Sequence, residues 1–301
     1  MILEHKDEPG HLESASRHLS FGERNAFALV LFMHHVRSER PDLVVLDDPV
    51  SSFDKTKKFA IFHQLFHKRD GICGFTTLLL THDIEPAIDM FRSGTADQFK
   101  AANPVVHFLS SRAGVVSEKL IEKDDIMTFS QVCDANIASS SDDVIKCIYL
   151  RRKYEIHGEH GGEYDILSSL LHLRDVPDRR GNGGEREPLS GTEVAAATAE
   201  IREMIPDFDY AGMIQGLRDP AVLKARFEAT DVGYEKIQLF RIMSELNPEG
   251  LSGDSAFRKF INESFHIENE YVMQLNPRDF DAVPEYVIEA CTALLGDVAT
   301  A

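Results

Sequence analysis

The sequence predicts an α/β layer over residues 1–127 followed by a mainly helical domain over 128–301, on three observations. A short uninterrupted apolar run, Leu43–Leu46, and a second strand-like run, Phe75–Leu80, which includes Thr76 and Thr77, alternate with helix-like segments in the first part. A hairpin pattern, Val105–Leu109 and Val115–Ile121 around Gly114, follows them. Beyond residue 128 the segments 140–157, 163–174, 191–204, 218–229, 231–246, 254–268 and 284–296 all read as helices.

The elements can be justified in order. Residues 1–17 are polar, contain Pro9-Gly10 and read as a linker. Residues 23–38 are free of Gly and Pro and apolar nearly all round, which predicts a helix packed on more than one side. Pro41 stops it. The Leu43–Leu46 run, bounded by acids and Pro49, predicts a strand buried on both faces, as in a parallel sheet. Lys55–Lys68 reads as a helix begun by Asp54, a good N-cap residue. Gly71 to Gly74 break the chain before the second buried strand, and Ile84–Phe91 makes a short helix. The stretch Arg179–Glu185 is the most loop-like in the chain. No internal repeat or sustained heptad is present, so a long coiled coil is not expected.

Composition sets outer limits. The 301 residues carry 50 acids against 32 bases, a net charge of −18. Such a surface repels nucleic-acid phosphate in bulk, so any such binding must rest on a local basic patch or a partner. No apolar run approaches the roughly 18 residues that span a bilayer, so no membrane partner is expected. The first residues lack the basic and apolar regions of a secretory signal, which implies the cytoplasm. The four cysteines are scattered and suggest reduced thiols rather than disulfides or a zinc site.

Four short segments carry chemistry. Leu19-Ser20-Phe21-Gly22-Glu23 stands immediately before the first long helix, where a hydroxyl, a glycine amide and a helix N-terminus together suit an anion. Gly22 would let the backbone approach a phosphate, although Ser-x-Gly before a helix is also a common cap. Asp47 and Asp48 end the first strand; paired carboxylates there are costly unless they meet a cation or water, or cap the turn before Pro49. Ser51-Ser52-Phe53-Asp54 is a Ser-rich turn leading into a helix, and Leu80-Thr81-His82-Asp83 ends the second strand. No Gly-x-x-x-x-Gly-Lys-Ser/Thr phosphate loop occurs anywhere in the sequence.

In this order and spacing the four segments resemble the signature motif, Walker B, D-loop and switch histidine of an ABC/SMC-type ATPase head. The resemblance implies a P-loop fold of which this chain supplies the distal lobe, with ATP and Mg2+ as cofactors. By it, Ser20, Phe21, Gly22 and Glu23 would cap the γ-phosphate of ATP held by an opposite head. Asp47 would hold Mg2+, and Asp48 would orient the attacking water where the family more often has Glu. Ser52 and Asp54 would face the partner's site, and His82 would contact the γ-phosphate. The resemblance implies dimeric heads and slow hydrolysis in a composite site. The missing Walker A half implies that the chain alone binds ATP poorly and needs a Walker A-bearing polypeptide or second head.

Leu167–His172, Tyr234–Arg241 and Phe260–Asn269 further resemble the C-terminal region of bacterial SMC-like AAA-family ATPases. Those are related to the ATPase domain of the anticodon nucleases PrrC and RloC. This implies nucleotide-gated work in anti-phage defence, as part of a longer or split protein, in which the chain could gate an effector nuclease without chemistry of its own. A ribonuclease alternative rests on Arg152 and His157, which match the Arg-x4-His spacing of HEPN-type enzymes. Against it, Arg151, Arg152 and Lys153 read as a solvated helix end. The Gly-rich loop His157–Glu163 has ligand types without fixed geometry, the His63/His67 pair shares a helical face without an evident third ligand, and His266, Glu268 and Asn269 in their amphipathic stretch read as polar packing.

Overall fold

The computed structural model describes residues 4–5, 8–11, 19–51, 53, 55–66, 71–91, 104–139, 141–180, 184–247 and 273–298. It is a mixed α/β structure with small sheets and a majority of helix, in two compact units, Met1–Val106 and His107–Ala301. The expected linker contains a short antiparallel pair, β1 (Glu4–His5) and β2 (Glu8–His11).

In the first unit, α1 (Phe21–Glu39) starts at Ser20 and ends at Arg40, whose left-handed backbone (φ 50°) directs its N–H to the Val36 carbonyl. β3 (Val44–Asp47) and β4 (Thr77–Leu80) pair in parallel with Val44 opposite Thr77 and Asp47 opposite Leu80. Between them lies α2 (Lys55–Phe66), and after them α3 (Glu85–Phe91). A helical crossover between neighbouring parallel strands is the βαβ unit that the alternation of apolar runs predicts. Met33 and Val36 of α1, Val44 and Leu46 of β3, and Phe62 and Leu65 of α2 make one core, joined by Val50, Phe53 and Ile72.

Two expectations are corrected here. β3 is buried on one face only: Val44 and Leu46 are inside, whereas Leu43 (52% exposed), Val45 (50%), Leu78 (47%) and Leu80 (39%) leave the other face open. α1 likewise buries one side, through Met33 and Val36, and leaves Val30 and Leu31 exposed. An apolar run records that water is unwelcome; it does not record whether a covering layer exists.

The second unit opens with the expected hairpin, β5 (Val106–Arg112) and β6 (Val115–Ile121), turned by Ala113 and Gly114 at φ 49° and 75°. It packs with the helical unit, so the division falls at 106/107, whereas the motifs placed it at 127/128. The fastenings are Arg112 to Asp281, Lys119 to Asp279 (2.9 Å), and the Phe108 ring edge-on to Phe280 at 5.8 Å.

β7 (Ile126–Thr128) pairs antiparallel with β10 (Met273–Leu275). Around them pack α4 (Phe129–Ile137), α5 (Asp143–His157), α6 (Gly162–Leu171), α7 (Gly191–Met204), α8 (Tyr210–Leu217), α9 (Pro220–Ala229), α10 (Gly233–Leu246) and α11 (Glu285–Val298). Of the stretch expected to be loop, Arg179 and Arg180 lie in β8 (Asp178–Arg180), which pairs antiparallel with β9 (Arg186–Pro188). The core is large and aromatic, with Phe129, Tyr149, Phe208 and Phe240 fully buried and Tyr149 stacked on Tyr234 at 5.5 Å. Two buried amides, Asn136 and Asn276, exchange hydrogen bonds of 3.1 Å each, which satisfies both side chains and ties the 276–280 turn to α4. The helix expected at 254–268 lies outside the described residues, as do His67, His266, Glu268 and Asn269.

Candidate functional site

The site is assembled at the carboxyl ends of β3 and β4, where α/β sheets present loops to ligands. The pairing continues one residue past β3, because the Asp48 N–H donates to the Leu80 carbonyl at 2.8 Å. Asp48 then adopts a left-handed backbone, φ 46°, which Asp tolerates better than most residues. Ser51 Oγ donates to the Asp48 carbonyl at 3.3 Å, closing the turn through Pro49 and Val50.

This turn brings the Asp48 carboxylate to His82. Asp48 Oδ2 lies 3.1 Å from His82 Nδ1, and Thr81 Oγ1 reaches Asp48 Oδ1 at 3.5 Å. The Thr81 hydroxyl accepts the Asp83 N–H at 3.1 Å, which folds the 81–83 segment back on itself. Asp83 Oδ1 is 3.7 Å from His82 Nε2, so both ring nitrogens face a carboxylate. The His82 side chain is 71% exposed, whereas Asp83 is 19% exposed. On the far side, Lys58 of α2 donates to Asp83 Oδ2 at 2.5 Å and to Glu85 Oε2 at 3.1 Å. The ammonium is held above its ordinary range, first by the hydrogen bond to Asp83 and against the opposing effect of burial.

Chemically this is a carboxylate-oriented imidazole at an open surface. With the proton on Nδ1 directed to Asp48, the ring is fixed in plane and its face and edge stay accessible to water or an anion. Asp47 stands on the open face of β3, one residue before the turn, and is exposed.

The Ser20–Glu23 segment is closed on itself. Glu23 N–H donates to Ser20 Oγ at 3.3 Å, and Ser20 N–H donates to Glu23 Oε2 at 2.8 Å, a capping box at the start of α1. An acid thus already occupies the helix N-terminus. Phe21 is exposed and carries the Arg24 guanidinium 5.9 Å from its ring centroid. Gly22 lies against Phe53: a Cβ there would sit 3.8 Å from the ring. Ser52 and Asp54 lie outside the described residues.

The structure therefore brings Asp48 and His82 together and adds Thr81, Asp83 and Lys58, which the sequence reading did not name as site residues. Asp83 was visible as the neighbour of His82; Lys58 gave no signal, because its partners lie 25 and 27 residues away.

In the helical unit, Arg152 and His157 have separate partners. The Arg152 side chain is 4% exposed and bonded to Glu155 at 2.9 Å, which corrects the expectation of a solvated helix end. His157 Nε2 meets Ser130 Oγ at 2.9 Å. Five residues apart, the two side chains leave the helix about 140° from one another. Comparison with protein-family models, with curated proteins and with solved structures yields no match for this chain.

Proposed function

We propose that the first unit is the distal half of an ABC/SMC-type nucleotide site, binding ATP with Mg2+ and hydrolysing it slowly once a Walker A-bearing polypeptide or second head completes it. The observation that carries this reading is the Asp48–His82 contact of 3.1 Å at the ends of two parallel strands. A second observation supports it: among the described residues the parallel sheet has two strands and one apolar face left open, where parallel sheets are covered on both faces.

The residues fit the group in part. Asp47, an exposed carboxylate at a strand end, suits Mg2+, which keeps most of its waters and takes one or two carboxylates. An Mg2+ held there would supply charge neutralisation at the nucleotide's phosphates. Asp48 would orient the attacking water, and His82, held by Asp48, would present its exposed ring to the γ-phosphate. Asp is one methylene shorter than Glu, and here its two oxygens are already engaged by His82 and Thr81, which accords with slow turnover. Ser20, Phe21, Gly22 and Glu23 would face a phosphate held in trans, and that requires Glu23 to release the Ser20 N–H. Ser52 and Asp54 would complete the crossing between heads. Gating of an effector, as in anti-phage systems, is the setting in which a slow nucleotide switch is useful.

The test is recovery of the tagged chain from its native cell with ATP and Mg2+, read by mass spectrometry. The reading expects a partner bearing Gly-x-x-x-x-Gly-Lys-Ser/Thr, retained in ATP and weakened by His82→Ala. A partner without that motif, or retention indifferent to nucleotide and to that substitution, would refute it.

A further inference from the structure

Among the described residues, one group of three metal-ligating side chains brings a donor atom from each within 4.8 Å of the others: Asp48, His82 and Asp83. We propose that this group binds a first-row divalent transition ion, with Zn2+ as the representative, independently of any nucleotide. The proposal does not depend on the nucleotide reading, because it uses only the donors present in this chain.

The donor set is one imidazole and two carboxylates. Imidazole favours Zn2+ and its neighbours over Mg2+ and Ca2+, which prefer oxygen alone. Two donors each about 2.0–2.2 Å from a shared ion are roughly 3 to 3.5 Å apart when adjacent and at most about 4.4 Å when opposed. His82 Nδ1 and Asp48 Oδ2, 3.1 Å apart, already have the spacing of adjacent ligands. The remaining spacings, within 4.8 Å, close to those of adjacent ligands with a side-chain adjustment of up to about 1.3 Å, in which the Asp83 carboxylate moves from the Nε2 edge of the ring toward Nδ1.

The surroundings are also suited. Thr81 Oγ1 touches Asp48 Oδ1, and Lys58 holds Asp83 through Oδ2, so each carboxylate is steadied from behind on the oxygen that does not face His82. With three protein donors and His82 71% exposed, water can fill the remaining positions and the ion can enter directly. The Lys58 ammonium competes with the ion for Asp83, which sets the direction of one test.

The experiment is competition titration of the full chain with Zn2+ against a chromophoric chelator, repeated with Co2+ to read the coordination environment. One ion per chain is expected, with a Co2+ spectrum of nitrogen and oxygen ligation and no thiolate charge-transfer band. His82→Ala and Asp48→Asn should each weaken binding at least tenfold. Lys58→Met should tighten it several-fold, and His107→Ala, which removes the exposed His107–Glu118 pair of the other unit, should leave it unchanged. Circular dichroism of each variant separates lost binding from lost fold. Affinity unaffected by His82→Ala and Asp48→Asn in folded protein, a thiolate band, or no Zn2+ uptake would overturn the proposal.

Discussion

Replacing Gly22 and Gly71 by alanine, one at a time, separates function from fold in the same unit. A Cβ at Gly22 would lie 3.8 Å from Phe53 Cδ1 and Cε1, an ordinary contact. Alanine in place of glycine in a helix gains about 0.5–1 kcal/mol, and the first turn takes the lower part of that range. With roughly 4–8 °C per kcal/mol for a unit of this size, Gly22→Ala should raise its melting temperature by about 2–4 °C. At Gly71 the Cβ would fall 2.2 Å from the Leu65 carbonyl oxygen and 2.6 Å from that of Gln64. Both are backbone atoms at the end of α2, and relief breaks the 2.7 Å bond from Ile72 N–H to the Leu65 carbonyl. That substitution should cost on the order of 3 kcal/mol, at the upper end of ordinary single changes. Thermal unfolding by circular dichroism reads both, and ATP hydrolysis in the presence of the proposed Walker A-bearing partner reads function. On the proposed reading Gly22→Ala keeps the fold and loses at least tenfold in hydrolysis, because Gly22 would be where the backbone approaches a phosphate in trans. Loss of stability above about 1 kcal/mol at Gly22, or wild-type hydrolysis by that variant, would refute the assignment of Gly22 to phosphate.

Other consequences are independent of one another. Glu193 is held down to about 2 from 4.5 by hydrogen bonds from the Ser190 side chain and backbone and from Arg179. A lowered carboxyl stabilises the fold above its ordinary value and loses that contribution as pH falls, so urea midpoints of wild type and Glu193→Gln should converge between pH 4.5 and 2. Lys58 has the opposite sign: its pKa is raised above 10.5, so its contribution is full below that value and lost as pH rises beyond it. Denaturation of Lys58→Gln against wild type should show a gap at pH 8 that closes above 10.5. Asp142 caps α5 by accepting the Val144 N–H at 2.9 Å and also meets Arg226 Nε at 3.1 Å. Asp142→Ala should cost about 1 kcal/mol, a fall of roughly 3 °C in the melting of the helical unit.

Much of the fold is legible in the sequence where local chemistry decides it. Val44–Asp47 and Thr77–Leu80 lie within a few residues of the apolar runs, and the hairpin around Gly114 needs the positive φ that glycine supplies. α7 matches its expected span because Ser190 and Glu193 form a capping box before a run of alanines. The helices that escaped notice are short and poorly marked. α8 contains Gly212 and Gly216, and the nine-residue α4 mixes polar and β-branched residues. β8 and β9 are charged and lack strand alternation.

The site divides in the same way. Asp48 and His82 could be named through the resemblance of the segments that carry them, and the parallel pairing of β3 and β4 is what brings the two residues together. Lys58 could not, since a lysine on a helix is ordinary and its role depends on the α2–α3 contact. The closed capping box at Ser20 shows one sequence serving two readings: the hydroxyl and acid that suit phosphate recognition also satisfy their own helix.

The most direct measurement is the rate of ATP hydrolysis by the purified chain, alone and with any Walker A-bearing polypeptide recovered with it. The account predicts no hydrolysis above background for the chain alone, and turnover by the pair that Asp48→Asn abolishes. Hydrolysis by the chain alone at an ordinary enzymatic rate, lost in Asp48→Asn, would contradict it.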